Sequence, residues 1–384
     1  MILNVLDYPS PDVAIAAAVD GDTVYFPCLR TYSPLTASGW TINKSISLVG
    51  DGPGGIGSGR GQQAGTTLAP LGDANPLITI IPPVRQVHIR GFQLLGTGAA
   101  SGTGSGIVCE STAGNPNEAA DITLQNLTIR NFPGDAIRFA TLSGSAPRIA
   151  RVSITDSRIE NCRGLGLSLT SVLNAMVTGV KLQGNRLGGC TATASSVALY
   201  ECALDGNGID AAGSLDAALK LDQCLMGRVD GCRFLNIDTG GSKRAICVNK
   251  GVAIISASYF AAAASAGTQG ILLTGTGGGP HAIMSQRFKQ IATLVKADSG
   301  TANVMLFAQY DESSTGSLNL AAGVRVFGAA HIIRPSGSLL TGMTVPSYAA
   351  EPTDNVRAGM MIYNTTTGKL RLRTATQWKT VSTS

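Results

Sequence analysis

The sequence predicts an all-β protein folded as a parallel β-helix, and three observations carry that expectation. The first is a phrase of apolar residues two apart, a two-residue break, then two apart again. It reads Val87-x-Ile89-x-x-Phe92-x-Leu94, Ile122-x-Leu124-x-x-Leu127-x-Ile129 and Val152-x-Ile154-x-x-Ser157-x-Ile159. It continues as Ala175-x-Val177-x-x-Val180-x-Leu182, Val197-x-Leu199-x-x-Cys202-x-Leu204 and Gly227-x-Val229-x-x-Cys232-x-Phe234, with a blurred copy at Val252-x-Ile254-x-x-Ala257-x-Tyr259. Alternation with period two marks a strand with one buried face, and the break turns a corner while keeping that face inward. The second observation is spacing. Successive copies recur every 22 to 35 residues, and a unit of that size cannot bury its own face, so it must stack on its neighbours. The third is composition: 48 glycines to supply positive-φ corners, 14% charged residues, and 5% aromatics, as a narrow interior requires. Asn126, Asn161, Asn185, Asn207 and Asn236 take the same corner role. Leu94, Ile129, Ile159, Leu182, Leu204 and Phe234 then form one interior column.

Three segments follow in order. Residues 1–20 make an N-terminal cap, in which Val13 to Val19 read as a short helix with Asp12 as N-cap and Gly21 ending it. Such a helix plugs the open core and unpaired edge at the end of a β-helix. The coil spans 21–335, starting with Thr23–Pro27 and Ser45–Val49 and interrupted by the glycine-rich excursion Gly50 to Gly65. Its pattern fades after Tyr259, although alternation persists at His281–Met284 and Asn303–Phe307. A composition shift at Pro335-Ser336-Gly337-Ser338 opens the last segment, 336–384, where two alternating strands flank Asn-Thr-Thr-Thr-Gly as a hairpin.

The opening residues PDVAIAAA, GDTVYFP, Tyr32, INKSISLVGDG and TTLAP resemble the pectate-lyase-like β-helix superfamily, in the version carried by phage tailspikes. The motif resemblance covers residues 11–70, and the coil repeat extends it to residue 275. Where the family has glycine in FP-x-G-x-Y, this chain runs Phe26-Pro27-Cys28-Leu29-Arg30-Thr31-Tyr32, a departure that bears on the local turn and not on the fold. The run from Gly359 through Lys369 to Trp378 resembles the short terminal β module of phage tail fibres and virion appendage proteins. These resemblances imply a right-handed coil, a homotrimer, and host-surface polysaccharide and other virion proteins as partners. The scaffold hosts lyases, hydrolases and inert adhesins alike, so any chemistry has to be argued from residues.

Charge and cysteine usage narrow the classes. The net charge is +5, yet no basic run is interleaved with aromatics, so a nucleic-acid partner is not expected. No apolar run approaches the roughly 18 residues of a membrane span. The start, MILNVLDYPSPDVAIAAAVDGD, has no basic n-region, which argues against a secretory signal and for assembly in the host cytoplasm. The eight cysteines (Cys28, Cys109, Cys162, Cys190, Cys202, Cys224, Cys232, Cys247) contain no C-x-x-C pair and read as reduced thiols serving as small core hydrophobes. A parallel homotrimer would bury the flat, weakly charged faces of a long coil, tightened at its C-terminal end by Met360, Ile362, Leu370, Leu372 and Trp378.

Candidate chemistry is sparse. Aligning the coils puts Arg130, Glu160, Gln183, Asp205 and Leu235 in one outward column. With rungs about 4.8 Å apart, Glu160 and Asp205 lie roughly 9–10 Å apart, the upper edge of the window for an inverting glycosidase acid and base. Asp156 and Glu201 form a parallel pair, also two rungs apart. A lyase would need a base with a cation or arginine against a uronate, and Arg130, Arg158 and Arg163 lie near that face without a clustered-acid calcium pattern. His88, His281 and His331 stand at unrelated spacings, read as solvated, and propose no metal site. Gly50 to Gly61 lacks Gly-Lys-Ser/Thr, and Gly102-x-Gly104-x-Gly106 reads as a coil excursion, so no cofactor is expected.

The first reading is therefore a virion appendage protein that binds host-surface polysaccharide. Two rivals stay open: a polysaccharide hydrolase or lyase using Glu160 and Asp205, and a structural virion protein with no receptor. Trp40 and Trp378 lie outside the central coils, which counts against a groove that stacks sugars on aromatic rings.

Overall fold

The computed structural model describes residues 1–54, 65–111, 118–141, 149–210, 216–237, 244–264, 267–276, 279–298, 303–307, 309–312, 316–321 and 324, and beyond these the backbone of strands between 326 and 380. The chain is a right-handed parallel β-helix, with one sheet of 24 strands and one of 11. A single rung shows the plan. Ile149–Thr155 forms a first face, Arg158–Glu160 a second, and Leu165–Thr170 a third. The first two faces belong to the larger sheet, folded at a corner, and the third belongs to the smaller one. Each strand pairs in parallel with its equivalent one rung away, as in Val152↔Ala175, Ile154↔Val177 and Ile159↔Leu182.

The two-residue break in the sequence phrase is the corner between the first and second faces. Its second residue is left-handed on successive rungs: Gly91 (φ 75°), Asn126 (51°), Asp156 (49°), Gly179 (64°), Glu201 (52°), Gly231 (63°), Ala257 (48°) and Ser285 (56°). A left-handed L-residue costs about 1–2 kcal/mol, and the ladder offsets it. Asp156 N donates to Thr178 O at 3.1 Å, Gly179 N to Tyr200 O at 3.0 Å, and Glu201 N to Asp230 O at 3.0 Å. Asn126, Asn161 and Asn236 take left-handed corners as expected, whereas Asn185 and Asn207 do not. These two are buried instead. Asn185 Oδ1 accepts from Cys162 N (3.1 Å), its Nδ2 donates to Asn207 Oδ1 (3.0 Å), and Asn207 Nδ2 donates to Leu182 O (2.8 Å). An amide inside the coil meets the turn's backbone groups that water cannot reach.

The interior column forms as expected. Leu94, Ile129, Ile159, Leu182, Leu204 and Phe234 are in register on successive rungs, each at most 1% exposed. The blurred copy is corrected by one residue. Phe234 pairs with Phe260, not Tyr259, and Phe260 with Phe288, so the phrase reads Ala253-x-Ile255-x-x-Ser258-x-Phe260. The three rings stack at 5.0 and 4.9 Å with interplanar angles of 5° and 16°. Phenylalanine loses nothing polar inside, whereas Tyr259 keeps its hydroxyl at the surface. At the N-terminal end Phe26 packs edge-on against Tyr32, Trp40 and Phe92.

The cap helix runs Pro11–Ala17, and its N-cap is Ser10, not Asp12: Ser10 Oγ accepts from Val13 N, with Pro11 in the first turn. The helix ends with Ala18 as C-cap, ahead of Gly21. Asp12 accepts from Leu35 N on the neighbouring loop at 3.1 Å. Ile2–Asn4 pairs with Thr23–Phe26 and starts the first face. Where the family has glycine, Leu29 itself takes φ 68°. Residues 55–64 of the glycine-rich excursion lie outside the described residues. Thr103 N and Gly104 N donate to Asp73 O (3.0 and 2.7 Å), so the Gly102–Gly106 stretch is a coil excursion held by the rung beside it.

Near the C-terminus Met361–Asn364 and Lys369–Arg373 form the expected antiparallel pair, joined by Trp378–Thr380 and Ser347–Tyr348 into a four-stranded sheet. Met360 and the loop 365–368 lie outside the described residues, as do the side chains of Ile362, Leu370, Leu372 and Trp378. Among the described residues no helix is long and apolar enough to cross a membrane. The corrected register has a direct test. Phe260→Ala should lower unfolding stability by about 3–5 kcal/mol, while Tyr259→Ala should cost less than about 1 kcal/mol. Denaturant midpoints of equal size for the two variants would contradict the register.

Candidate functional site

The outward positions of the second face carry arginine, lysine and carboxylate side chains on successive rungs. Strand register confirms the outward column read from the sequence: Arg130↔Glu160, Glu160↔Gln183, Gln183↔Asp205 and Asp205↔Leu235. A second column beside it carries Thr128, Arg158, Lys181, Ala203 and Arg233. From Arg158 to Leu235 each of these strands is only three residues long, so both columns are presented by a flat ribbon between two left-handed corners.

The carboxylates are not idle on this face. Glu160 is buried, its side chain 7% exposed, and Oε2 accepts from Arg158 Nε at 2.6 Å. This departs from the expectation of a solvent-exposed glutamate facing Arg130. The neighbour two residues along its own strand covers it, and Arg130 turns to Gln93, whose amide oxygen accepts from Nη2 at 2.7 Å in the orientation that satisfies both amide atoms. Arg158 also reaches Gln183 Oε1 at 3.5 Å. Asp205, with its side chain 15% exposed, accepts from Asn236 Nδ2 at 2.6 Å and lies 3.9 Å from Lys181 Nζ. Glu160 and Asp205 therefore share one column, two rungs apart with Gln183 between, and each is held by its own donor. Asp156 and Glu201 occupy the left-handed corner column with Gly179 between them.

Sequence reasoning passed over one titratable group, Asp135, and misplaced another, His281, which it read as solvated. Asp135, in the Pro133-Gly134-Asp135 turn, is the carboxyl among the described residues that burial pushes above the usual carboxylate range. It accepts from Leu165 N at 2.8 Å and so pins the start of the third face; in the sequence it looks like any turn aspartate. His281 is not a surface histidine. It sits inward between Ala253 and Val304, 1% exposed, and neither ring nitrogen has a partner among the described residues. Burial holds its imidazole down to about 4. His331 lies outside the described residues.

Seven of the eight cysteines are buried and all eight are free. Burial pushes Cys109 and Cys162 up to about 12 and Cys224 and Cys247 up to about 11, so these thiols stay protonated near neutrality. Among the described residues no group of three or more His, Cys, Asp or Glu is placed to hold a metal ion. Trp40 is buried in the core and offers no ring to a ligand.

Comparison with known proteins agrees with this architecture. Residues 105–285 match the family model described as a right handed beta helix region. No curated protein matches the chain. Among solved structures, ORF18 of Geobacillus virus E2 aligns over 100% of this chain and 86% of its own at 14% identity, with a TM-score of 0.50. The GH136 lacto-N-biosidase of Eubacterium ramulus aligns over 85% of this chain and 66% of its own at 10% identity, TM-score 0.57. Tailspike protein gp49 of Acinetobacter baumannii bacteriophage Fri1, a capsular polysaccharide depolymerase, aligns over 85% and 60% at 10% identity, TM-score 0.50. At these identities the likeness is one of fold.

His281 gives the pH test. An unfolded chain titrates its histidine near 6.5, so between that pH and about 4 the unfolded state binds a proton that the folded state refuses. The associated stability is complete above about pH 6.5 and is lost as pH falls toward 4, by about 3 kcal/mol. Replacing His281 with leucine should remove this acid-side loss. Parallel stability–pH curves for variant and parent between pH 7 and 4 would show that the imidazole is not buried in neutral form.

Proposed function

We propose that this chain is a virion appendage protein of tailspike or tail-fibre type that binds host-surface polysaccharide along the second face without cutting it. The observation that supports the reading is the structural likeness, covering 100% of this chain, to ORF18 of Geobacillus virus E2. The tailspike among the similar folds, described as a capsular polysaccharide depolymerase, supports polysaccharide as the ligand class. In this reading residues 1–20 cap the coil, 21–335 form it, and 336–384 are the terminal module.

The charge distribution supports a homotrimer. From Ser153 to Phe307 the outward strand positions of the first face hold a single charged pair, Arg228 and Asp230, 3.5 Å apart. Met176 and Met305 on that face are 46% and 38% exposed. A neutral, partly apolar face meets its own copies without stranding charges, and closed symmetry ends the association at a defined number. The charged second face is then left for ligand.

A depolymerase remains the rival, with Glu160 and Asp205 as acid and base. Against it, both carboxylates are already engaged inside the protein, Glu160 by Arg158 Nε and Asp205 by Asn236 Nδ2. Incubation with capsule from the host should leave polysaccharide length unchanged by size-exclusion chromatography while the protein is retained on it. A depolymerising activity abolished by Glu160→Gln or Asp205→Asn, with oligomer mass unchanged, would establish the enzyme instead. Light scattering at micromolar concentration should give the mass of three chains, and Met176→Glu should lower it; a monomer from the parent chain would refute the trimer.

A further inference from the structure

Past Asp205 the second face changes chemistry. Register carries its outward column from Arg233 to Tyr259 and then to Arg287 and Tyr310 on successive rungs. The Arg287 guanidinium carbon lies 5.8 Å from the ring centroid of Tyr259 and 5.8 Å from that of Tyr310. Its Nη2 donates to Glu312. A shallow surface depression of about 380 Å³ adjoins it, lined by Ser285, Gln286, Arg287 and Tyr310. Lys289 points outward from the same strand as Arg287.

This arrangement is unusual for a surface arginine. Arg287 is 63% exposed, and a solvated arginine ordinarily keeps its rotamer freedom. Here two ring faces and one carboxylate hold the guanidinium in place while its remaining N–H groups face solvent. A held guanidinium presents a planar fork that matches a carboxylate, which a mobile ammonium does not. In these rungs the outward positions carry three cations, Arg233, Arg287 and Lys289, against the single carboxylate of Glu312, so the strip favours an anion. The tyrosines add apolar surface and a hydroxyl on the rungs that flank the arginine, the mixture that a sugar ring with its apolar and hydroxylated sides requires.

We infer that the Tyr259–Arg287–Tyr310 ladder is a subsite for the carboxylate-bearing sugars of an acidic polysaccharide lying along the coil axis. The inference rests on the polysaccharide-binding reading and names its ligand class. The carboxylate is taken by the free side of the Arg287 fork, and Arg233 and Lys289 attract neighbouring carboxylates on the same chain.

The test uses the full chain with polygalacturonate, neutral dextran and dextran sulfate as probes. The parent should bind polygalacturonate and not dextran. Tyr259→Ala, Tyr310→Ala and Arg287→Lys should each weaken that binding by about tenfold or more while each variant stays fully folded at the assay temperature. Arg287→Lys keeps the charge and removes the fork, so a lysine variant that binds as the parent does, or dextran sulfate bound as tightly as polygalacturonate, overturns the subsite as mere charge attraction. If the parent binds dextran or host capsule and all three variants match it, the ladder is wrong and the polysaccharide reading stands. If the parent binds none of these polymers and no host capsule, both fail.

Discussion

The structure depends on one repeated constraint, the left-handed corner between the first and second faces. A chain that turns sharply while keeping both flanking strands in a parallel ladder must place one residue at positive φ, and must do so on every rung. Glycine meets this at Gly91, Gly179 and Gly231, but asparagine, aspartate, glutamate, alanine and serine meet it elsewhere. The strain at the non-glycine corners Asp156, Glu201, Ala257 and Ser285 is tolerated because each N–H has a fixed acceptor one rung on. A corner out of line would lose that acceptor and break the registers on both sides, so the corner sets the phase of the coil.

Inside the corner, the coil spends its interior on two kinds of residue. One column is apolar and thickens from leucine and isoleucine to three stacked phenylalanines toward the C-terminal end. The other, just past the corner, is apolar at Phe92, Leu127 and Val180 but elsewhere holds Ser157, Cys202, Cys232, Ser258, Gln286 and Gln309, whose side chains reach backbone carbonyls of the corner. Gln286 Nε2 donates to Ile255 O at 2.7 Å and to Met284 O at 2.6 Å, and Ser258 Oγ to Ser256 O at 2.9 Å. Buried polar side chains here complete a backbone network that an apolar residue would leave short. His281 is one exception, a buried imidazole neither of whose nitrogens has a partner among the described residues.

Outside, the same stacking sorts the surface by face. A residue type repeated at one phase becomes a column, so small biases in sequence grow into faces of distinct character. The first face is nearly uncharged over many rungs, and the second carries arginine, lysine and carboxylate in adjacent columns. Such ribbons offer little enclosure, and a flat strand face leaves a carboxylate to be shaped by its immediate neighbours. At Glu160 that neighbour is Arg158; at Asp205 it is Asn236.

Much of the fold was legible in the residues alone. Period-two alternation around a two-residue break determined the strands, the inward side and the column from Leu94 to Phe234, because a pleat and a corner leave little choice once one face must be buried. It also determined that Glu160 and Asp205 share an outward column. Past Phe234 the pattern became ambiguous, since Ile254 and Ile255 are equally apolar and Tyr259 and Phe260 are adjacent aromatics; only stacking on Phe234 and Phe288 selected Phe260. The partners of outward side chains were decided by the tertiary structure as well. Register says which residues are neighbours, but whether Glu160 meets Arg130 across a rung or Arg158 along its strand depends on rotamers and on Gln93, a residue from another coil. The Tyr259–Arg287–Tyr310 ladder was hidden for the same physical reason: residues far apart in the chain become adjacent only when every intervening rung has its length, and loop lengths carry no periodic signal.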